Sequence, residues 1–134
     1  MQAARQQLTH DWWNNERLNY ELFISAIVLD EASAGDSTAA QRRLALVENI
    51  PLLDLTNDVN EVAKSIMKSG LLPQRATRDA IHIAVSSVHV VDILLTWNCK
   101  HIANATIEKE LSQIVLDCGF CIPIICTPEE LLGD

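Results

Sequence analysis

Two carboxylates at the starts of predicted helices have the chemistry of metal ligands. Glu31 follows a predicted strand, and Asp79 lies in the first turn of an apolar helix that Thr77 is predicted to cap. Hard cations such as Mg²⁺ take oxygen ligands, commonly one or two carboxylates together with water and phosphate oxygens. A divalent ion would relieve the repulsion between two carboxylates and activate water for attack on a phosphodiester. Taken alone, Asp79 is more often a capping carboxylate than a ligand, and Glu31 a surface residue.

Polar side chains also follow an apolar strand predicted at residues 93–95. In open parallel sheets, ligands bind at the carboxyl ends of the strands. Here that end carries Asn98, Lys100 and His101. Asn98 has an amide oxygen that could assist a metal site. Lys100 and His101 could contact a phosphate backbone, and so could Arg78, which is next to Asp79. For each of these three residues, a solvated surface role is an equally good interpretation.

The elements that would position these side chains alternate between helix and strand. Strands are predicted at residues 20–29, 49–56, 93–95 and 120–126, with helices before, between and after them. The clearest helix begins after Thr56 or Asn57 and ends at Gly70, because apolar residues recur there at helical spacing. Strands that alternate with helices predict an α/β domain in which a parallel sheet is covered on both faces.

Length and composition are those of one globular domain covering residues 1–134. Hydrophobic residues make up 49% of the chain and charged residues 21%. No apolar run approaches the ~20 residues that span a bilayer, and no signal-peptide pattern opens the chain. We therefore expect a cytoplasmic protein with no membrane partner. The net charge of −8 argues against broad attraction to nucleic acid, although a metal ion could offset acidic side chains in a nuclease.

The cysteines do not have the spacing of a zinc site. Cys118 and Cys121 form one CxxC pair, but no second pair of cysteines or histidines follows at zinc spacing. Cys118 falls on the apolar face of a predicted helix and Cys121 in a predicted strand. Buried thiols are the better interpretation, with a redox or zinc role as the alternative.

Two segments carry a resemblance to a known family. The stretch DAIHIA…DILLTWNCKHIANA, which starts at Asp79, and the upstream stretch SAIVLDE, which ends at Glu31, resemble the PIN domain in its VapC-like branch of toxin ribonucleases. The resemblance covers residues 20–132, and the middle stretch is its more specific part. It implies a three-layer α/β/α fold with a central, mostly parallel sheet, and an enzyme that uses Mg²⁺ or Mn²⁺ to cut RNA.

The resemblance also assigns roles to individual residues. Glu31 matches the family's second acid and Asp79 its third, so both are expected to be catalytic metal ligands. Asn98 falls where a fourth acid often lies and is expected to assist catalysis without supplying charge. Lys100, His101 and Arg78 are expected to contact the substrate. A VapC-like toxin further implies an antitoxin protein as partner and a homodimer.

The family's first acid has no counterpart in this sequence. In the family it follows a short apolar strand near the N-terminus, and no such segment precedes the first predicted helix here. We therefore expect a PIN-like domain that is N-terminally incomplete and lacks its first strand. The alternative expectation is a catalytically inactive PIN-fold module that binds protein, which the missing acid and Asn98 both favour.

Overall fold

The computed structural model describes residues 11–96 and 105–127, in which helices alternate with short strands. The coarse prediction of a mixed α/β chain is therefore confirmed. The helices are α1 (Ala26–Ala32), α2 (Ser37–Val47), α3 (Asn57–Lys68), α4 (Thr77–Val88) and α5 (Ala105–Asp117). The strands are β1 (Ile24–Ser25), β2 (Leu52–Leu53), β3 (Ile93–Leu95) and β4 (Ile124–Cys126). A π-helical turn covers Trp12–Glu16, and 3₁₀ turns cover Arg17–Asn19 and Gln74–Ala76.

The strands pair in parallel, as alternation with helices predicts. Strand β1 lies beside β2, with Ile24 opposite Leu52, and β3 lies beside β4, with Leu94 opposite Ile125. Within the described residues these are two separate two-stranded sheets. The parallel pairing is confirmed, whereas a single central sheet between two helical layers is not what the described strands form.

The core lies mainly between α3 and α4, with α5 against α3. Ile66, Ile83 and Leu111, one from each helix, have no exposed surface. Both sheets contact this same core, through Leu53 of β2 and through the strands β3 and β4. One hydrophobic core therefore supports both strand pairs.

Helix α3 forms as its sequence predicts. The Thr56 hydroxyl accepts a hydrogen bond from the Val59 amide at 3.4 Å, and the chain leaves the helix at Gly70, whose φ is +80°. A left-handed φ is one that glycine adopts without steric cost. The apolar face supplies Val59, Val62 and Ile66 to the core, which confirms the predicted helical spacing.

Helix α4 is enclosed on most of its surface, which confirms the prediction from its apolar sequence. Its two consecutive serines are also buried, at 4% and 2% exposure for Ser86 and Ser87. Their hydroxyls donate to backbone carbonyls of their own helix: Ser86 Oγ to His82 O and Ser87 Oγ to Ile83 O, both at 2.7 Å. No buried hydroxyl of this helix face is therefore left without an acceptor.

The predictions at the starts of α1 and α4 were wrong. Residues 20–29 are not one strand, because only Ile24–Ser25 pairs and α1 then begins at Ala26. The apolar run that favours a strand is wound into a helix here, since tertiary packing overrides β propensity. Thr77 does not cap α4 either. The chain reaches α4 directly from a 3₁₀ turn, and Thr77 Oγ1 donates to Gln74 O at 2.8 Å.

The cysteines of the described residues are free thiols. Cys126 is buried and Cys118 half-buried, as predicted, whereas Cys121 is exposed and precedes β4. Cys121 was therefore wrongly placed in a strand, because only the last three residues of the predicted 120–126 strand pair with β3.

Candidate functional site

Helices α1 and α4 meet through an arginine–carboxylate ion pair and a histidine–carboxylate contact. Arg78 Nη2 lies 2.6 Å from Asp30 Oδ2, and His82 Nε2 lies 2.9 Å from Glu31 Oε1. Arg78 and His82 are four residues apart and so lie one above the other on one side of α4. Both consecutive acids of α1 therefore reach the same side of α4.

The position of Glu31 differs from the prediction. It was expected at the start of a helix, and it is instead the penultimate residue of α1. The neighbouring acid Asp30 faces α4 as well, as its ion pair with Arg78 shows. Strand β1 covers only two residues and α1 begins directly after it at Ala26, so Glu31 falls in the last turn of the helix.

Asp79 lies in the first turn of α4, as predicted, and is partly buried. It precedes His82 by three residues, so the two are neighbours on the helix surface. Because Glu31 contacts His82, the fold brings Glu31 within one helical turn of Asp79 along α4. The first predicted metal ligand therefore contacts the helix that carries the second, at the turn that follows it.

The pairs differ in how far water reaches them. The His82 side chain is 19% exposed and Glu31 44%, whereas Arg78 and Asp30 are 52% and 61% exposed. Ion pairs open to water contribute only about 0–1 kcal/mol each. A cation could therefore compete for Glu31, and a phosphate could compete for Arg78, at small energetic cost. Arg78, predicted to bind substrate, has Asp30 as its partner here.

The two candidate carboxylates suit a metal site completed by several water molecules better than a site in which the protein supplies every ligand. Among the described residues, no group of three or more His, Cys, Asp or Glu side chains is arranged to hold a metal ion. Mg²⁺ commonly keeps several waters and uses only one or two carboxylates from the protein. Glu31 and Asp79 are two carboxylates, the number and type of protein ligand that such a site takes. Asn98, Lys100 and His101, the other predicted site residues, lie outside the described residues.

The end of α1 is held by an arginine that sequence reasoning did not place in the site. Arg43 of α2 donates from Nε to Ala32 O at 3.0 Å and from Nη2 to Ala34 O at 2.5 Å. The last carbonyls of a helix have no partner within the helix, so a cationic donor satisfies them well. Only the position of Arg43 off the apolar face of α2 hinted at this role. By fixing the last turn of α1, Arg43 helps to position Glu31.

Replacing Arg43 should loosen that last turn. We expect Arg43→Ala to lower the free energy of unfolding by about 0.5–1.5 kcal/mol, because two hydrogen bonds to carbonyls are lost. Arg42→Ala is the matched control, since Arg42 is the neighbouring exposed arginine of the same helix. Urea denaturation followed by circular dichroism measures both, and equal losses would show that Arg43 has no special part in holding α1.

A mainly apolar hollow lies elsewhere on the described surface. It has a volume of about 430 Å³ between α1, α2 and the β1–β2 pair. Gln41 and Glu48 are its only polar lining residues, and neither Glu31 nor Asp79 lines it. An apolar hollow with one acid does not suit a phosphate-rich ligand. The α1–α4 contact is therefore the better candidate for chemistry on RNA.

Comparisons with known proteins do not decide between functions. Neither protein-family models, nor curated protein sequences, nor solved structures match this chain. In residues 11–96 and 105–127, no helix combines the length and apolar character needed to cross a bilayer.

Proposed function

We propose that this chain is a PIN-like, metal-dependent endoribonuclease that hydrolyses RNA phosphodiesters. Glu31 and Asp79 are its metal ligands, and Asn98 assists them. The observation that carries the proposal is the 2.9 Å contact between Glu31 Oε1 and His82 Nε2, which brings Glu31 to the turn of α4 that follows Asp79. Glu31 therefore contacts the helix that carries Asp79, which is 48 residues later in the sequence.

Each residue of the site has a distinct part in this proposal. Bound Mg²⁺ or Mn²⁺ supplies an activated water and offsets charge on the leaving oxygen. Glu31 and Asp79 present the carboxylate oxygens, and His82 orients Glu31 through its ring nitrogen. Arg78 is half-exposed, so it can exchange Asp30 for a phosphate oxygen of the RNA. The positive charge of Arg78 would offset part of the acidic surface that RNA meets.

The wider setting of this proposal follows the VapC-like resemblance. The enzyme would be the toxin of a toxin–antitoxin pair, a cytoplasmic homodimer with a small antitoxin protein as partner. Its fold would be the three-layer α/β/α arrangement, with the two parallel strand pairs as parts of one sheet.

A second candidate is a catalytically inactive PIN-fold module that binds protein. It is favoured by the partners that Glu31 and Arg78 already have, and by the lack of a three-donor group among the described residues. In that case the α1–α4 pairs would serve only to join two helices.

Metal titration with RNA cleavage followed in parallel distinguishes the two. We expect the purified chain to bind Mn²⁺, measured by electron paramagnetic resonance of the free ion, and to cut a fluorescent single-stranded RNA only with Mn²⁺ or Mg²⁺. Asp79→Asn should lower the cleavage rate on the order of 100-fold, because metal charge stabilisation is worth several kcal/mol. Glu61→Gln, which alters an exposed acid of α3, is the control and should leave the rate unchanged.

Two results would contradict the nuclease proposal. Metal-stimulated cleavage that survives Asp79→Asn would remove Asp79 from the site. A folded chain that binds no Mn²⁺ would leave the protein-binding module as the better account.

A further inference from the structure

The sheet formed by β1 and β2 has apolar side chains on both faces. On one face Leu53 packs against the core, and on the other Ile24 and Leu52, which are opposite each other in the pairing, line the hollow beneath α2. Helix α2 presents Leu44 and Val47 to the same hollow. These four lining residues are half-buried or exposed, so they leave apolar surface that a ligand would remove from water.

The acid of this hollow lies at an unfavourable place on its helix. Glu48 is the C-cap of α2, and the last turn of α2 has no basic residue. The carbonyl end of a helix carries partial negative charge, so it repels a carboxylate and attracts a cation. Glu48 is exposed, and its carboxylate has no ion-pair partner among the described residues. The carboxylate and the helix end therefore form one accessible negative site beside the apolar lining.

The size and lining of the hollow suit a small ligand. Its volume of about 430 Å³ is within the range of roughly 300–1,000 Å³ that small-molecule sites have. Gln41, Ala45 and Glu48 follow one another at helical spacing on the side of α2 that lines it, and no lining residue is basic. The net charge of −8 favours a cationic ligand and opposes a second copy of this chain.

We propose that this hollow binds a small organic cation, with its apolar body against the aliphatic lining and its ammonium group at Glu48. The amide oxygen of Gln41 is a second acceptor for the ammonium hydrogens. The proposal does not depend on the proposed nuclease activity, since neither Glu31 nor Asp79 lines the hollow.

Octylammonium is the probe, and its binding to the isotope-labelled chain is measured by two-dimensional NMR titration. We expect shifts of the amide signals of Glu48 and Leu52, and an affinity about fivefold higher than that of 1-octanol, the size expected for an ion pair open to water. Octanoate should bind more weakly than 1-octanol. Butylammonium buries four fewer methylene groups and should bind at least about 10-fold more weakly than octylammonium. Shifts confined to other parts of the chain, or equal affinity for octylammonium and octanoate, would overturn the proposal.

Removal of the acid tests its part in binding. Glu48→Gln should weaken octylammonium binding about fivefold and leave 1-octanol binding unchanged, because only the ammonium group needs the carboxylate. Glu61→Gln is the matched control, since it removes the same charge from an exposed position on α3. An equal loss in the two variants would show that the charge of the whole chain, and not a site at Glu48, attracts the cation.

Filling the hollow tests its place. Ala45→Phe puts a ring into the hollow and should weaken binding of both octylammonium and 1-octanol, whereas Leu46→Phe, at an exposed neighbour that does not line the hollow, should weaken neither. Circular dichroism checks that both variants are folded. Two other occupants are distinguished in the same series. A dimer in sedimentation experiments that Ala45→Phe dissociates would place a second copy in the hollow, and tighter, competing binding of the basic helical peptide LKKLLKLLKKLLKL would make it a polypeptide site. Either result would overturn the proposal.

Discussion

Leu111→Ala is expected to lower the free energy of unfolding by about 2–5 kcal/mol. Leu111 of α5 has no exposed surface and belongs to the core that α3, α4 and both strand pairs share. Removing its side chain leaves a cavity that rigid neighbours on several elements cannot close. Urea denaturation monitored by circular dichroism would measure the loss. It would appear as a lower midpoint with an unchanged slope.

Leu116→Ala is the matched control for this experiment. It removes the same atoms from the same helix, but Leu116 is 51% exposed. Surface substitutions usually change stability by about 0.5 kcal/mol or less. A loss at Leu116 as large as that at Leu111 would show that α5 packs through a different face from the one described.

Glu31→Gln is expected to lower Mn²⁺ affinity and RNA cleavage on the order of 100-fold, if the proposed function is correct. The substitution removes a charged oxygen ligand while it keeps the shape of the side chain. Asp30→Asn is the control, because it removes the same charge from the adjacent residue. Asp30 pairs with Arg78 rather than with the turn that follows Asp79, so its loss should change both quantities by less than about fivefold.

The comparison separates ligation from general electrostatics. Both variants raise the net charge by one, so an effect of charge alone would be nearly equal in the two. Equal, small effects would argue against metal binding at Glu31 and favour the protein-binding module. Stability should change little in either variant, since both side-chain pairs are partly exposed to water.

The sequence predicts best what depends on local pattern. The spacing of Val59, Val62 and Ile66 gives α3, and Gly70 gives its end. The unbroken apolar run at Ile93–Leu95 gives β3, and the apolar stretch before it gives the buried helix α4. In each case neighbouring residues carry the information, because helix and strand periods are properties of short segments.

What the sequence does not predict depends on distant contacts. The run from Ile24 to Leu29 favours a strand by residue type, yet most of it is helical because of what it packs against. The pair of Glu31 with His82 joins residues 51 positions apart, and nothing in either local pattern selects that partner. The predicted metal role of Glu31 came from a resemblance.

The two buried serines of α4 have a consequence for how this helix can change over time. Because Ser86 and Ser87 donate their hydroxyl hydrogens to carbonyls one turn back in the same helix, they need no hydrogen-bond acceptor from the elements that cover them. Surrounding segments can exchange one hydrocarbon side chain for another without supplying a matching donor or acceptor. On that side, helix α4 needs no hydrogen-bonding partner from its neighbours. The residues that cover it can therefore be substituted while the helix keeps its position.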